Sequence, residues 1–204
     1  MSGYPKAHWR VLPAARVEPI VPGKGTLVQR FLLWASRRQA RARKNLNVVA
    51  TFLRMDDIFP RHLLLVSQLL MKGSLARADK ERIVLRVGWR MGSLYEWSAH
   101  VPLGLTAGLS RQEIESFASE DCAGWSTRTR CFVDATDELI DSRTLSEGAW
   151  NRLRQQLTDA QAMEFCMLVG HYVMVAMTAN TLGVRVEEEF LLGPLPKAIE
   201  PGGA

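Results

Sequence analysis

Glu96 and His100 are the two side chains of this sequence whose types and spacing best suit acid/base chemistry. They lie four residues apart, and on a helix this spacing places both on one face, within reach of one bound molecule. An imidazole titrates near neutrality, and a neighbouring carboxylate raises its pKa and fixes its tautomer. The spacing therefore predicts a pair that moves protons at physiological pH, although ordinary surface pairs on helices share it.

A second carboxylate, Glu81, lies on the apolar stripe of the preceding predicted helix, residues 79–91. Stepping from Glu81 by three, four, seven and ten residues reaches Val84, Leu85, Gly88 and Met91. Because a buried carboxylate without a partner is strongly disfavoured, Glu81 needs a partner or a chemical task. Packing of this stripe against the helix of Glu96 and His100 predicts a pocket that contains all three side chains.

Three motifs carry a family resemblance: Glu81-Arg-Ile-Val-Leu-Arg-Val-Gly-Trp-Arg, then Tyr95-Glu-Trp-Ser-Ala-His, then Gly108-Leu-Ser-Arg-Gln-Glu-Ile. With these motifs, the stretch from Asn45 to about Gly183 resembles the carboxymuconolactone decarboxylase family, relatives of the alkylhydroperoxidase D proteins. The resemblance implies a compact helical fold and a homo-oligomer, commonly a trimer or a hexamer.

The peroxidase branch of that family has a Cys-x-x-Cys-x-x-x-His run with an acidic proton relay upstream. The resemblance places Ser93 and Glu96 at the two cysteine positions, His100 at the histidine and Glu81 at the relay. Since neither Ser nor Glu forms a disulfide, thiol peroxidase activity is not expected. The Tyr-Glu-Trp-x-x-His variant is similar to the decarboxylase-like branch, which implies cofactor-free proton chemistry on a small organic acid or lactone.

The rest of the sequence predicts an all-α fold of about eight helices, because capping and turn signals separate stretches with helical apolar spacing. We expect helices over 45–59, 61–71, 127–141 and 146–157, and a last long helix that begins at the Thr158 capping box and ends near Gly183. The predicted organisation is an extended arm (1–25), a single helical domain (26–192) and a flexible tail (193–204).

The last long helix carries four methionines at helical spacing: Met163, Met167, Met174 and Met177. Such a stripe is usually part of a core. If it lines the pocket instead, Met167, Met174 and His171 would contact an apolar or aromatic ring, with Tyr172 as a further polar contact.

Three residues beside the acid/base pair are further candidates for substrate contact. Tyr95 and Trp97 flank Glu96 and are expected to shape the pocket, with core packing as the alternative for Trp97. Ser93 either offers its hydroxyl to the substrate or only caps the helix.

Basic residues give the chain a formal net charge of +5 and gather in one predicted helical segment, at Arg30, Arg37, Arg38, Arg41, Arg43 and Lys44. We interpret this segment as a solvated face beside an apolar strip, and expect no nucleic-acid partner because no nucleic-acid-binding motif accompanies it. Arg82, Arg86 and Arg90 recur every four residues; they either hold a substrate carboxylate or face water.

Composition is consistent with one globular domain in the cytoplasm. The chain has 204 residues, 47% of them apolar, which is enough for a core without metals or disulfides. No uninterrupted apolar run of about 20 residues predicts a membrane span, and the N-terminus does not resemble a secretory signal. The three cysteines, Cys122, Cys131 and Cys166, are expected to be reduced, and no metal site is predicted.

We therefore predict a cofactor-independent enzyme, a lyase or an isomerase, that transfers protons on a small cyclic or aromatic-derived organic acid or lactone. His100 is the expected general acid/base, Glu96 its orienting carboxylate or a second base, and Glu81 a buried proton relay or a partner that raises the basicity of His100. Decarboxylation, isomerisation and elimination all need this machinery. Two alternatives remain: a metal-dependent, non-haem iron oxygenase-like protein that uses His and Glu ligands, and a non-catalytic ligand-binding protein.

Overall fold

The computed structural model describes residues 8–40, 42–119 and 124–191. These ranges contain ten helices and no strand: α1 Leu27–Gln39, α2 Asn47–Phe52, α3 Phe59–Met71, α4 Arg77–Arg90, α5 Leu94–Thr106, α6 Arg111–Ser116, α7 Thr127–Ser142, α8 Glu147–Gln156, α9 Asp159–Leu182 and α10 Glu188–Leu191. The predicted all-α class is confirmed. The predicted tail 193–204, Arg41 and Cys122 lie outside the described residues.

The prediction of one helix over 45–59 was wrong, because α2 ends at Phe52. The following residues form turns, where Asp56 accepts a hydrogen bond from the side-chain amide of Gln29 (2.5 Å). The same Gln29 amide also donates to the carbonyl oxygen of Leu53, which satisfies one of the free carbonyls at the end of α2. A tertiary contact therefore stabilises the early helix end.

Helix α4 is the centre of the fold and packs against α5, α7 and α9. Nine of its 14 residues are buried, and four of these, Asp79, Lys80, Glu81 and Arg86, carry ionisable groups. A buried charge is strongly destabilising unless it has a partner. The partner of Arg86 is Asp137, to which the Arg86 guanidinium donates two hydrogen bonds. The central helix is thus surrounded by ion pairs as well as by apolar side chains.

The junction between α4 and α5 brings the two helices close together. Gly92 has a φ of +59°, a left-handed conformation that favours glycine and ends α4. A Cβ atom at Gly88 would lie 3.1 Å from the backbone nitrogen of Trp97, so a larger residue would require the two helices to move apart by a few tenths of an ångström. Ser93 caps α5 by accepting a hydrogen bond from the amide of Glu96. This junction sets the position of His100 relative to Glu81.

Helix α9 begins at a capping box formed by Thr158 and Gln161 and ends at Gly183, where φ is +68°. Both predicted boundaries are confirmed. The helix is long and apolar enough to span a membrane by length and composition alone, but half of its most apolar 18-residue window is buried within the described fold, as in the core helix of a globular protein.

The prediction that the methionine stripe of α9 packs in the core was wrong. Its four side chains are between 46% and 61% exposed: Met163, Met167, Met174 and Met177. The other faces of α9 supply the core, with Phe165, Leu168 and Ala176 fully buried. Because helical spacing shows only that residues share a face, it could not indicate which face the rest of the fold covers.

Residues 8–25 follow the body of their own chain without helical structure beyond a single turn. Trp9 is buried against Trp89 and Trp97, and the amides of Arg10 and Arg16 donate to the carbonyls of Gly92 and Leu182. The described part of the predicted arm therefore covers the α4–α5 junction and the end of α9.

Candidate active site

Glu81, Glu96 and His100 lie together in the interior. His100 Nδ1 is 2.8 Å from Glu81 Oε2, and His100 Nε2 is 3.7 Å from Glu96 Oε2. The three side chains are each less than 10% exposed. Since Nδ1 donates to Glu81, Nε2 is the nitrogen that faces Glu96 and is free to exchange a proton. A distance of 3.7 Å is too long for a direct hydrogen bond, so a substrate atom beside this gap can contact both groups.

The electrostatics of this cluster favour proton sharing. Burial raises the pKa of Glu96 to about 7, with Glu187 adding to the rise and His100 opposing it. Burial alone would lower the pKa of His100, but the charges of Glu81 and Glu96 outweigh it and raise that pKa above its ordinary value. Glu96 therefore titrates close to neutral pH, where a general acid/base must work, and His100 keeps its proton to higher pH than an ordinary imidazole.

The cluster faces a cavity of about 210 Å³. Its lining is mainly apolar and comes from helices α1 to α5, α9 and α10, with Val49, Phe52, Phe59, Leu63, Leu103 and Val175 among the lining residues. Apolar walls with a few convergent polar groups are typical of small-molecule sites. The cavity also explains why three ionisable groups stand together here without complete hydrogen bonding.

Tyr172 stands beside the cluster with its ring edge-on to the ring of His100, at a centroid distance of 5.0 Å. Burial, and then the nearby charges of Glu96 and Glu81, raise the pKa of Tyr172 well above its ordinary value. Its hydroxyl stays protonated and can donate a hydrogen bond to an oxygen of a bound molecule.

His62 and His171 form a stacked pair on another wall of the cavity, with ring centroids 4.8 Å apart. Burial lowers the pKa of both, that of His171 to about 4 with His62 and His100 as further causes, so both rings are neutral at physiological pH. Three of the four histidines of the chain thus line one cavity. The sequence did not indicate His62, because its predicted helix had no detectable relation to the acid/base pair.

Tyr95 lines the cavity and also ties the C-terminal end of the described chain to it. Its hydroxyl donates to Glu187 (2.9 Å), and Glu187 in turn accepts from the amide of Asn47 (2.5 Å). Burial and the Glu187 carboxylate raise the pKa of Tyr95 well above its ordinary value. Phe190, three residues further along, completes this wall.

Four predicted substrate contacts lie elsewhere. Trp97 is fully buried against Trp9 and Val101, so core packing is its role here, and Ser93 is a buried helix cap. Met167 and Met174 are exposed on the outer face of α9 and do not line the cavity. The prediction that these two methionines line the pocket is therefore corrected. Of the predicted contacts, Tyr95 and His171 do line it.

The arginine series of α4 does not enter the cavity. Arg82 pairs with Asp79 and Glu113, and Arg90 with Asp137 and Asp141. Arg86 joins α4 to α7 and also donates to the carbonyl of Phe117. A different arginine, Arg77, lines the cavity, and the sequence did not distinguish it from other surface charges.

Within the three described ranges, no group of three or more His, Cys, Asp or Glu side chains is arranged to hold a metal ion. Cys131 and Cys166 are free thiols, and neither lines the cavity.

Comparison with solved structures identifies the fold. The chain is similar to an uncharacterized peroxidase-related protein with an alkylhydroperoxidase AhpD core from Ralstonia eutropha JMP134, with 22% identity over 91% of this chain and all of that one, at a TM-score of 0.79. It is also similar to an uncharacterized peroxidase-related protein from Silicibacter sp. TM1040, with 15% identity over 89% and 97% of the two chains, at a TM-score of 0.74.

A third similar structure is the debrominase Bmp8 in complex with 2,3,4-tribromopyrrole, with 10% identity over 88% of this chain and 95% of that one, at a TM-score of 0.74. No curated protein matches the sequence significantly. At the level of sequence, residues 59–137 match the model of the carboxymuconolactone decarboxylase family. This segment, which contains Glu81, Glu96 and His100, is similar to the carboxymuconolactone decarboxylase family, and the solved structures show that the chain has an AhpD-like helical fold.

Proposed function

We propose that this protein is an acid/base enzyme that transfers protons on a small cyclic or aromatic-derived organic acid or lactone. The observation that carries the proposal is His100, held by Glu81 at 2.8 Å on one nitrogen and facing Glu96 at 3.7 Å on the other, in a cavity of about 210 Å³. An ion pair with a purely structural role would not require a cavity beside it. A cavity with a purely binding role would not require an acid/base pair in its wall.

In this scheme Glu81 fixes the tautomer of His100, so that Nε2 carries the mobile proton. In decarboxylation carbon dioxide leaves, and in isomerisation the Glu96 carboxylate accepts a proton from carbon; in both cases the electron pair left on carbon spreads into a neighbouring carbonyl as an enolate. Protonated His100 then gives its Nε2 proton to carbon, and it regains a proton from Glu96 or from water. In this scheme the hydroxyl of Tyr172, whose ring stands edge-on to that of His100, donates to the enolate oxygen, where negative charge develops.

The cavity favours a flat, largely apolar substrate. Its walls combine aliphatic side chains with the stacked imidazoles of His62 and His171, which offer a face for a ring. The debrominase Bmp8, which shares the fold, is seen with a halogenated pyrrole. A small unsaturated ring fits both observations.

The proposal is tested by incubating the protein in D₂O with a panel of β-keto acids and carboxylated unsaturated lactones. Carbon-bound deuterium and released carbon dioxide are followed by NMR and gas analysis. We expect turnover of at least one class, and a loss of about 10²- to 10⁴-fold in His100→Gln. His8→Gln is the matched control, because His8 stacks on Trp89 outside the cavity. Unchanged turnover in His100→Gln would overturn the scheme.

Metal-dependent chemistry and ligand binding without catalysis remain the competing functions. Stoichiometric iron or zinc in the purified protein, lost together with activity on chelation, would favour the first. Substrate binding with no turnover in wild type would favour the second.

We also propose a homo-oligomer, in which a second copy covers the exposed methionine face of α9. Met163, Met167, Met174 and Met177 are spaced by four, seven and three residues, a pattern that forms one seam along a helix. Sedimentation at micromolar concentration tests this, and a monomer would contradict it.

A further inference from the structure

Arg77 differs from every other charged side chain that lines the cavity. Glu81 is hydrogen-bonded to His100, and Glu96 faces the other nitrogen of the same ring. Among the described residues, no carboxylate or other hydrogen-bond acceptor contacts the guanidinium of Arg77, although it lines the cavity. The neighbouring Asp79 cannot serve, because its two oxygens already accept from Arg82 and Arg128.

The charges of the lining leave Arg77 uncompensated. His100 and Glu81 pair with each other at 2.8 Å, Glu96 has a pKa of about 7 and is therefore only partly ionised at neutral pH, and His62 and His171 are neutral. A cavity with one guanidinium that lacks a counter-charge attracts an anion, and a guanidinium matches the two oxygens of a carboxylate.

The position of Arg77 relative to the reacting groups is suited to a small molecule. Arg77 and Glu81 are four residues apart on α4 and so lie on one face, about 6 Å apart along the axis. Arg77 and Met71 are exposed lining residues of the cavity, whereas Phe52 and Phe59 are buried in its wall. A ligand with its anionic end at Arg77 therefore places an apolar body beside His100.

We infer that Arg77 is the carboxylate-binding residue of this cavity and that its ligand is an apolar monocarboxylate held by that carboxylate at the cavity entrance. This inference deepens the proposed function and rests on it for the identity of the reacting groups. It also narrows the reaction. A cation at a carboxylate stabilises the ground state more than the transition state for loss of that group, so the carboxylate on Arg77 is retained in the product. For a monocarboxylate this selects isomerisation or elimination over decarboxylation.

The test measures the affinity of the full-length protein by calorimetry for benzoate, phenylacetate and cyclohexanecarboxylate, and for the corresponding neutral amides. In Arg77→Gln, the Kd for the carboxylates is expected to rise about tenfold, while the Kd for the amides stays the same, because only the charge-assisted contact is lost. Arg77→Lys keeps the charge but not the planar guanidinium, so its Kd for the carboxylates is expected to lie between those of wild type and Arg77→Gln. Added salt should weaken carboxylate binding to wild type and leave amide binding unchanged.

Arg30→Gln is the matched control, because it removes the same charge from an exposed position of α1 outside the cavity. It should bind the carboxylates as wild type does. The inference is overturned if Arg77→Gln keeps wild-type carboxylate affinity, if acid and amide affinities fall equally, or if wild type binds none of the three carboxylates at millimolar concentration.

Failure of the proposed function would look different. If no substrate of the panel is turned over and His100→Gln changes nothing, the acid/base scheme fails. Carboxylate binding that depends on Arg77 would still support Arg77 as the carboxylate-binding residue. If turnover depends on His100 but carboxylate affinity does not depend on Arg77, only the inference about Arg77 fails.

Discussion

Lys80 and Glu81 are neighbouring residues of α4, and each belongs to a different buried site of charged side chains. Lys80 pairs with Glu164 at 3.0 Å on the side of α9, and Glu81 contacts His100 at 2.8 Å on the side of α5. Both pairs are almost completely buried. The difference between them lies in how completely the remaining lone pairs and protons are satisfied.

The Lys80–Glu164 site has several donors on one carboxylate oxygen, while the other oxygen, Oε1, faces Lys80 Nζ at 3.0 Å. Glu164 Oε2 accepts from the amides of Ser74 and Leu75 and from the Ser74 hydroxyl, and Lys80 donates to the carbonyl of Leu69 at 2.6 Å. Burial would raise the pKa of Glu164, but hydrogen bonds from Ser74 and Lys80 outweigh it and lower that pKa. Such a site holds α3, α4 and α9 together and has no proton to offer.

The Glu81–His100–Glu96 cluster is left incomplete beside a cavity. Glu96 has no direct hydrogen-bond partner for its carboxylate at 3.7 Å from His100, and its pKa is raised to about 7. The pKa of Glu164 is lowered because donors surround its carboxylate, whereas the pKa of the more deeply buried Glu96, which lacks such donors, is raised. This contrast distinguishes a structural ion pair from a candidate catalytic one.

Breaking the structural pair should have the largest effect. Lys80→Met leaves the Glu164 carboxylate buried without its cation, which is expected to cost about 3–5 kcal/mol in the free energy of unfolding. Urea denaturation measures this. The double variant Lys80→Met/Glu164→Leu removes both charges and should recover most of the loss. A cost below about 1 kcal/mol in the single variant would contradict the structural role.

Replacing Glu96, whose ionised form is disfavoured by burial, should stabilise the fold. The folded-state pKa of Glu96 lies above its ordinary value of 4.5, so its contribution to stability is fully present below pH 4.5 and is lost as pH rises to about 7. The advantage of Glu96→Gln over wild type should therefore grow across this interval and then level off, at no more than about 3 kcal/mol. Denaturant unfolding at several pH values measures it.

Glu164→Gln is the control of opposite sign. The folded-state pKa of Glu164 is lowered, so its carboxylate stabilises the fold above the ordinary value of 4.5 and that stability is lost as pH falls. The penalty of the substitution should shrink in acid. The comparison fails if both variants respond to pH in the same direction.

Glu81→Gln should change the chemistry more than the fold. Without the carboxylate, burial dominates and the pKa of His100 falls, so the limb of the kcat/KM profile that reports His100 should move to lower pH. We expect turnover to fall about a hundredfold, which corresponds to about 2.7 kcal/mol. An NMR titration of the His100 ring measures the pKa directly. An unshifted His100 pKa would show that Glu81 does not act through this contact.

Ser93→Ala should have the smallest effect. Ser93 caps α5 and does not line the cavity, so its loss should cost about 1 kcal/mol of stability and leave turnover unchanged. Thermal unfolding and the turnover assay measure the two effects. Ser93→Gly, which retains much of the capping preference, should cost less. If Ser93→Ala loses turnover while its stability is unchanged, Ser93 contacts the substrate.

The sequence by itself determined the helical class and the acid/base trio. Both follow from local rules, because capping residues and glycine stops fix helix ends and because an acid on an apolar stripe, as at Glu81, must meet a partner on a neighbouring helix. The spacing of Glu96 and His100 needed only one helix, and the family motifs reinforced it.

Only the tertiary structure decided which surfaces these helices bury. His62 reaches His171 across α3 and α9, and Arg77 enters the lining while Arg82 turns to Glu113. The methionines of α9 share a face by spacing, yet that face points outward. Side-chain periodicity records which residues lie together on one helix, whereas the choice of covered face depends on contacts between elements distant in sequence.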